Sequence, residues 1–163
     1  MKDIQIAIIG AGIGGMTAAV TLAQKGFKVK VFEQAPELSE VGAGLTVTPN
    51  ATKGLIYLGL GEAMNKIGMA HDLQGVRHYQ TKEIIVPLKR GKHMLEKYGA
   101  YQFQVHRADI HDILIESLEK HSPGCVSIDH QLVGIDQKSD RVKLIFNNQA
   151  EYECDFVIGA DGT

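Results

Sequence analysis

The sequence predicts an α/β protein centred on a parallel sheet, and three observations predict it. An apolar, β-branched run, Ile4-Gln5-Ile6-Ala7-Ile8-Ile9, stands close to the N-terminus and ends in glycine. A helix-spaced stripe of Ile13, Met16, Val20 and Ala23 follows and stops at Gly26. A second strand-like run, Lys28-Val29-Lys30-Val31-Phe32-Glu33, comes next. Strand, helix and strand within about 30 residues is the size of one βαβ unit.

Each element has a local cause. The first run lacks polar alternation, which marks a central parallel strand buried on both faces. The stripe from 13 to 25 is the apolar face of a helix, and Gly26 suits the C′ position that closes it. A glycine-rich loop is expected over 34–48. Thr48 and Pro49 then open a helix, as N-cap and first helical residue, that runs to about 58. A short helix is expected near 62–66. Residues 73–79 and 83–88 suit two strands, with Pro87 pointing to a sheet edge. Tyr101-Gln102-Phe103-Gln104-Val105 alternates like a half-buried strand. Ile110, Ile113, Leu114 and Leu118 give residues 108–120 one apolar helical face. Short strands are expected at 126–128, 132–137, 142–147 and 152–153, and a last apolar one at 156–158.

Composition narrows the function classes. The chain has 163 residues, enough for one domain with a real core, and 44% of them are hydrophobic. A net charge of -2 gives no electrostatic case for nucleic acid or an anionic membrane surface. No apolar run approaches the roughly 18 residues of a spanning helix, and no secretory leader stands at the N-terminus, so the cytoplasm is the expected compartment. Cys125 and Cys154 are far apart and read as two buried thiols. The seven histidines show no ligand spacing and read as ordinary surface or half-buried residues, so no metal is expected. Oligomeric state is not legible.

The chemistry concentrates in the glycines. Of 18, seven fall between Gly10 and Gly44, which marks backbone passing close to something. In Gly10-Ala11-Gly12-Ile13-Gly14-Gly15, Gly10 allows a tight turn, Gly12 leaves the backbone bare for a pyrophosphate, and Gly15 lets helix and strand pack closely. The helix N-terminus offers free N–H groups and partial positive charge. Glu33, 18 residues beyond Gly15, suits the hydroxyls of a ribose. The turn alone is weak evidence; after a strand, before a helix and with a distant acid, it predicts a dinucleotide site. It does not separate NAD from FAD.

Two further segments do. Val41-Gly42-Ala43-Gly44-Leu45-Thr46-Val47-Thr48-Pro49-Asn50-Ala51 is one. His106-Arg107-Ala108-Asp109-Ile110, with the ending Asp155-Phe156-Val157-Ile158-Gly159-Ala160-Asp161-Gly162, is the other. In this order they resemble the single-component FAD-dependent aromatic hydroxylases, of the salicylate and 6-hydroxynicotinate hydroxylase type. The resemblance covers the whole chain and the N-terminal portion of a family member. It implies a Rossmann-like FAD/NAD(P)-binding fold over 1–163, with the first strands of an incomplete mixed-sheet substrate domain inserted at about 71–105.

The resemblance also implies roles. Gly10, Gly12 and Gly15 hold the pyrophosphate and Glu33 the adenosine ribose, with Gly14 and Gln34 also among the cofactor-binding residues. Gly44, Leu45 and Thr46, in the loop from Gly42, run beside the flavin and ribityl chain. Arg107 reaches the FAD, the backbone of Leu132 meets adenine, and Asp161 stands near the pyrophosphate. The implied activity is a monooxygenase that uses NADH or NADPH and O2 to hydroxylate a small aromatic substrate. No catalytic side chain is assigned, because in such enzymes the cofactor carries the reaction. The Gly-Asp motif and remaining substrate strands expected further on in the family do not occur in these residues, so the chain is expected to be part of a longer protein and inactive alone. Two other readings stay open: a non-catalytic dinucleotide-binding module, or another FAD-dependent oxidoreductase.

Overall fold

The computed structural model describes residues 3–38, 43–138 and 140–162. The chain divides into two units, Met1–Glu40 with His111–Thr163, and Val41–Ile110.

The first unit holds a four-stranded parallel sheet. Its strands are β1 (Gln5–Ile9), β2 (Lys28–Phe32), β7 (Val126–Ser127) and β11 (Phe156–Gly159), in the order β11-β1-β2-β7. The expected central strand is therefore central, flanked by parallel neighbours on both sides, and Ala7 and Ile8 are fully buried. Successive side chains face opposite ways. Ala7, Ile9 and Phe32 join Leu144, Phe146 and Cys154 in one core cluster. These last three come from an antiparallel meander of β8 (Leu132–Gln137), β9 (Val142–Phe146) and β10 (Glu151–Cys154). Phe32 and Phe146 stack with ring centroids 4.5 Å apart. Helix α1 (Ile13–Gln24) packs on β1 and β2, with Met16, Ala19 and Val20 fully buried.

Helix α1 ends as its glycine predicts. Gly26 adopts φ +84°, its N–H donates to the Ala23 carbonyl, and the Phe27 N–H donates to the Leu22 carbonyl. That pair of bonds is the Schellman closure, which satisfies carbonyls the helix leaves open. Helix α5 (Arg107–His121) buries Ile110, Ile113, Leu114 and Leu118, the face its spacing predicts.

The second unit pairs β3 (Gly44–Val47) antiparallel with β6 (Phe103–His106), and β4 (Leu73–Arg77) with β5 (Ile84–Lys89). Helices α2 (Pro49–Tyr57), α3 (Gly61–Ile67) and α4 (Lys92–Tyr98) complete it. Val47, Leu55, Leu60, Met64, Phe103 and Val105 are buried there.

Three expectations change. The expected loop over 34–48 contains β3, because β6 supplies a partner that makes a strand of a glycine-containing segment. Helix α4 has no counterpart in the sequence expectations, and none of its residues is buried. Thr48 stands at the N-cap of α2 but makes no side-chain cap; its hydroxyl donates instead to Asn50 Oδ1 at 2.6 Å.

Candidate functional site

The glycine turn is built by backbone ladders running past the ends of β1 and β2. The Gly10 N–H donates to the Phe32 carbonyl at 2.8 Å, and the Ala160 N–H donates to the Ile9 carbonyl at 2.7 Å. Gly10 has φ +101°, and a Cβ there would stand 2.5 Å from the Ala160 carbonyl oxygen. At Gly15 a Cβ would overlap the Gly10 carbonyl oxygen. Both positions therefore require glycine, one for turn and close approach, the other for close helix packing.

Gly12 and Gly14 differ in kind. A Cβ at either would meet nothing within 4 Å, so open space lies beside the backbone where the helix begins. The Met16 N–H is the first to find a helical acceptor, the Gly12 carbonyl at 2.9 Å. The N–H groups of Gly12, Ile13, Gly14 and Gly15 have no acceptor among the described residues, as a helix start dictates. The first turn of α1 carries no acidic residue, and no side chain caps it. The result is a row of free donors at the positive end of a helix dipole, with room for an anion.

Glu33 ties the turn to the loop after β2. Its Oε2 accepts from the Ala11 N–H at 2.7 Å, and its Oε1 accepts from the Ala35 N–H at 3.0 Å. Each carboxylate oxygen keeps a second lone pair. Glu33 lines a cleft of about 160 Å³ with Ala11, Gly12, Ala35, Glu37, Leu38 and His111. The cleft combines carboxylates with the bare turn, a surface suited to hydroxyl donors beside an anion.

The first unit thus brings together Gly10, Gly12, Gly14, Gly15, Glu33 and Asp161. The Cα of Asp161 would lie 2.9 Å from a Cβ on Gly10, so the Asp-Gly loop abuts the turn. Gln34 is exposed and does not line the cleft. Leu132 is half-buried against the core cluster and also lies outside the cleft lining. Its neighbours tie the region together: the His130 N–H donates to the Glu33 carbonyl at 2.8 Å, and the Asp129 N–H donates to the Ala35 carbonyl at 2.9 Å.

The second unit brings Gly44, Leu45 and Thr46 together with the start of α5. Gly44 pairs with His106, Leu45 with Val105 and Thr46 with Gln104. The Arg107 N–H donates to the Ala43 carbonyl at 3.1 Å, so Arg107 opens its helix beside the end of β3. Val41 and Gly42, which begin this loop, and Thr163 lie outside the described residues.

Sequence reasoning missed His111. It is 3% exposed, and its Nε2 lies 2.5 Å from the Ala11 carbonyl oxygen. A signal existed: His111 stands three residues before Leu114 and seven before Leu118, on the buried stripe of its helix. Both cysteines are buried, and burial raises their thiols above the ordinary range. No helix among the described residues is long and apolar enough to cross a membrane.

The comparisons with known proteins agree with this geometry. Residues 3–163 match the FAD binding domain family model. The 6-hydroxynicotinate 3-monooxygenase of Pseudomonas fluorescens is 37% identical over 158 residues, covering 97% of this chain and 40% of that protein. The 3-hydroxybenzoate 6-hydroxylase 1 of Aquipseudomonas alcaligenes is 36% identical over 157 residues, covering 96% and 40%. Klebsiella pneumoniae HpxO, solved with FAD and uric acid, superposes with a TM-score of 0.85 at 28% identity, over 98% of this chain and 39% of that one. The chain therefore spans about 40% of the length of the curated relatives it matches. With a bare glycine turn, free helix donors and an acid at the end of the second strand, the chain belongs to the FAD binding domain family.

Proposed function

We propose that this chain is the FAD-binding part of a flavin-dependent monooxygenase that uses NADH or NADPH and O2 to hydroxylate a small aromatic substrate. One observation carries the reading: the open space and four free N–H groups at Gly12–Gly15, next along the chain from Ala11, whose N–H is held by Glu33. The pyrophosphate is assigned to those donors. The ribose hydroxyls are assigned to the remaining lone pairs of Glu33, with Gln34 beside them. Asp161 borders the pyrophosphate, and the backbone at Leu132 borders adenine. Gly44, Leu45, Thr46 and Arg107 are assigned to the ribityl and flavin end, where a guanidinium suits phosphate or ribityl oxygens. When bound, the flavin supplies the redox and oxygen chemistry, and this chain supplies grip and orientation. The stretch 71–105 is read as the beginning of the substrate domain, and the cytoplasm as the compartment.

The names of the relatives support the substrate class: one is a 6-hydroxynicotinate 3-monooxygenase and the other a 3-hydroxybenzoate 6-hydroxylase. The test has two arms. The purified chain is titrated with FAD, ADP and NAD by calorimetry, and FAD and ADP are expected to bind in preference to NAD. A protein joining this sequence to a length comparable to its relatives is then assayed for NAD(P)H oxidation stimulated by aromatic carboxylates. No nucleotide binding ends the cofactor assignment. Binding without substrate-stimulated oxidation ends the monooxygenase assignment and leaves a dinucleotide-binding module.

A further inference from the structure

His111 has no part in the phosphate contacts assigned above, yet the structure sets it against the turn that makes them. The Ala11 carbonyl oxygen only accepts, so the 2.5 Å contact requires a proton on His111 Nε2. Ala11 is then held from both sides: its N–H donates to Glu33 and its C=O accepts from His111. The residue before it is tied as well, through the Gly10 N–H to Phe32. The next donor along the chain, the Gly12 N–H, is the first free one.

The link between His111 and that donor is covalent geometry. The Ala11 C=O and the Gly12 N–H belong to one peptide group, which is planar and, like every described peptide here, trans. In a trans peptide the two bonds point in opposite directions. Fixing the carbonyl towards α5 therefore aims the Gly12 N–H the other way, away from His111. Packing does not explain the residue. Leu114 and Leu118 on the same helix are fully buried, and a third apolar side chain would fill the site without the desolvation a buried imidazole carries. It would also leave the Ala11 carbonyl, on a residue 2% exposed, without its partner.

We propose that His111 is a positioning residue of the flavin-nucleotide site, which grips the Ala11 carbonyl through Nε2–H and so aims the Gly12 N–H at the pyrophosphate. The inference rests on the FAD reading of the turn. The test compares the unsubstituted chain with His111→Gln, whose amide N–H can stand in for Nε2–H, and His111→Leu, which cannot donate. FAD and ADP affinities are measured by calorimetry alongside thermal melts. His111→Leu is expected to weaken both ligands by about tenfold or more, and His111→Gln to stay within about threefold of the unsubstituted chain. In the unsubstituted chain, nitrogen NMR of the imidazole is expected to show a protonated Nε2, and the Gly12 amide is expected to shift on adding ADP. The ring spectrum decides the matter even if His111→Leu fails to fold. Equal affinity in all three proteins, or an unprotonated Nε2, overturns the inference while leaving the cofactor reading intact. If the unsubstituted chain binds neither FAD nor ADP, the cofactor reading fails first and this inference goes with it.

Discussion

The parallel sheet of the first unit and the β4–β5 hairpin of the second carry similar apolar, β-branched runs and place them differently. Ile8 and Val31 in the parallel sheet are fully buried, whereas Val76 is 53% and Ile85 60% exposed in the hairpin. Strand propensity is alike in the two; what differs is the supply of covering layers. The sheet has α1 against it and shares a core cluster with the meander, so the side chains of β1 and most of those of β2 are enclosed, while Phe156 on the flanking β11 is not. The hairpin is defined by its own pairing and turn, where the His78 N–H donates to the Glu83 carbonyl and the Lys82 N–H to the His78 carbonyl. The glycine turn, the candidate cofactor site, belongs to the first kind of region. Its donors are set by a backbone that the surrounding core over-determines, and such rigidity is what a phosphate site needs.

The largest expected effect separates the two regions by stability. Phe146→Ala, in the core cluster against Phe32, is expected to cost about 3–5 kcal/mol in urea unfolding, while Ile85→Ala stays within about 0.5 kcal/mol. Comparable losses at the two positions break the comparison. A smaller effect sharpens it inside the turn itself. Gly15→Ala forces a methyl onto the Gly10 carbonyl and should cost about 1–3 kcal/mol in stability. Gly12→Ala has an ordinary φ of -66° and open space, so it should keep stability within about 1 kcal/mol. Its methyl nevertheless enters the space assigned to the pyrophosphate, and FAD affinity should fall about tenfold, or 1.4 kcal/mol. If both variants lose stability and binding in proportion, Gly12 is a packing residue like Gly15.

The smallest effect concerns pH. Burial raises the Cys154 thiol, and burial likewise raises Cys125. A raised folded value means the folded chain holds the proton more tightly than the unfolded chain. That contribution is fully present below the unfolded thiol value, about 8.5, and is lost as pH rises through the higher folded value. Melting temperature should therefore decline above about pH 8.5. A Cys125→Ala, Cys154→Ala double variant should decline less steeply. Parallel slopes would show that the thiols are not the groups responsible.

Much of the candidate site was legible because its backbone requirements are local. A glycine at positive φ, a helix start without a side-chain cap and an acid closing the next strand are properties of short segments, and Gly10, Gly12, Gly15 and Glu33 announce them in sequence. Gly44 to Thr46 announced themselves as part of a motif, though their strand did not, since β3 exists through its pairing with β6. Leu132 packs on the core and Gln34 is exposed, and neither lines the cleft, so the roles proposed for them rest on the motif rather than on the cleft's geometry.

By itself the sequence determined the βαβ unit, the apolar faces of α1 and α5, the glycine turn and the family. These follow from periodicity and backbone sterics acting over a few residues. Only the tertiary structure decided that both oxygens of Glu33 are engaged by backbone N–H groups, and that His111 holds the Ala11 carbonyl from 100 residues away. The reason is physical. A hydrogen bond's direction depends on where a distant element docks, and residue spacing alone carries no information about that.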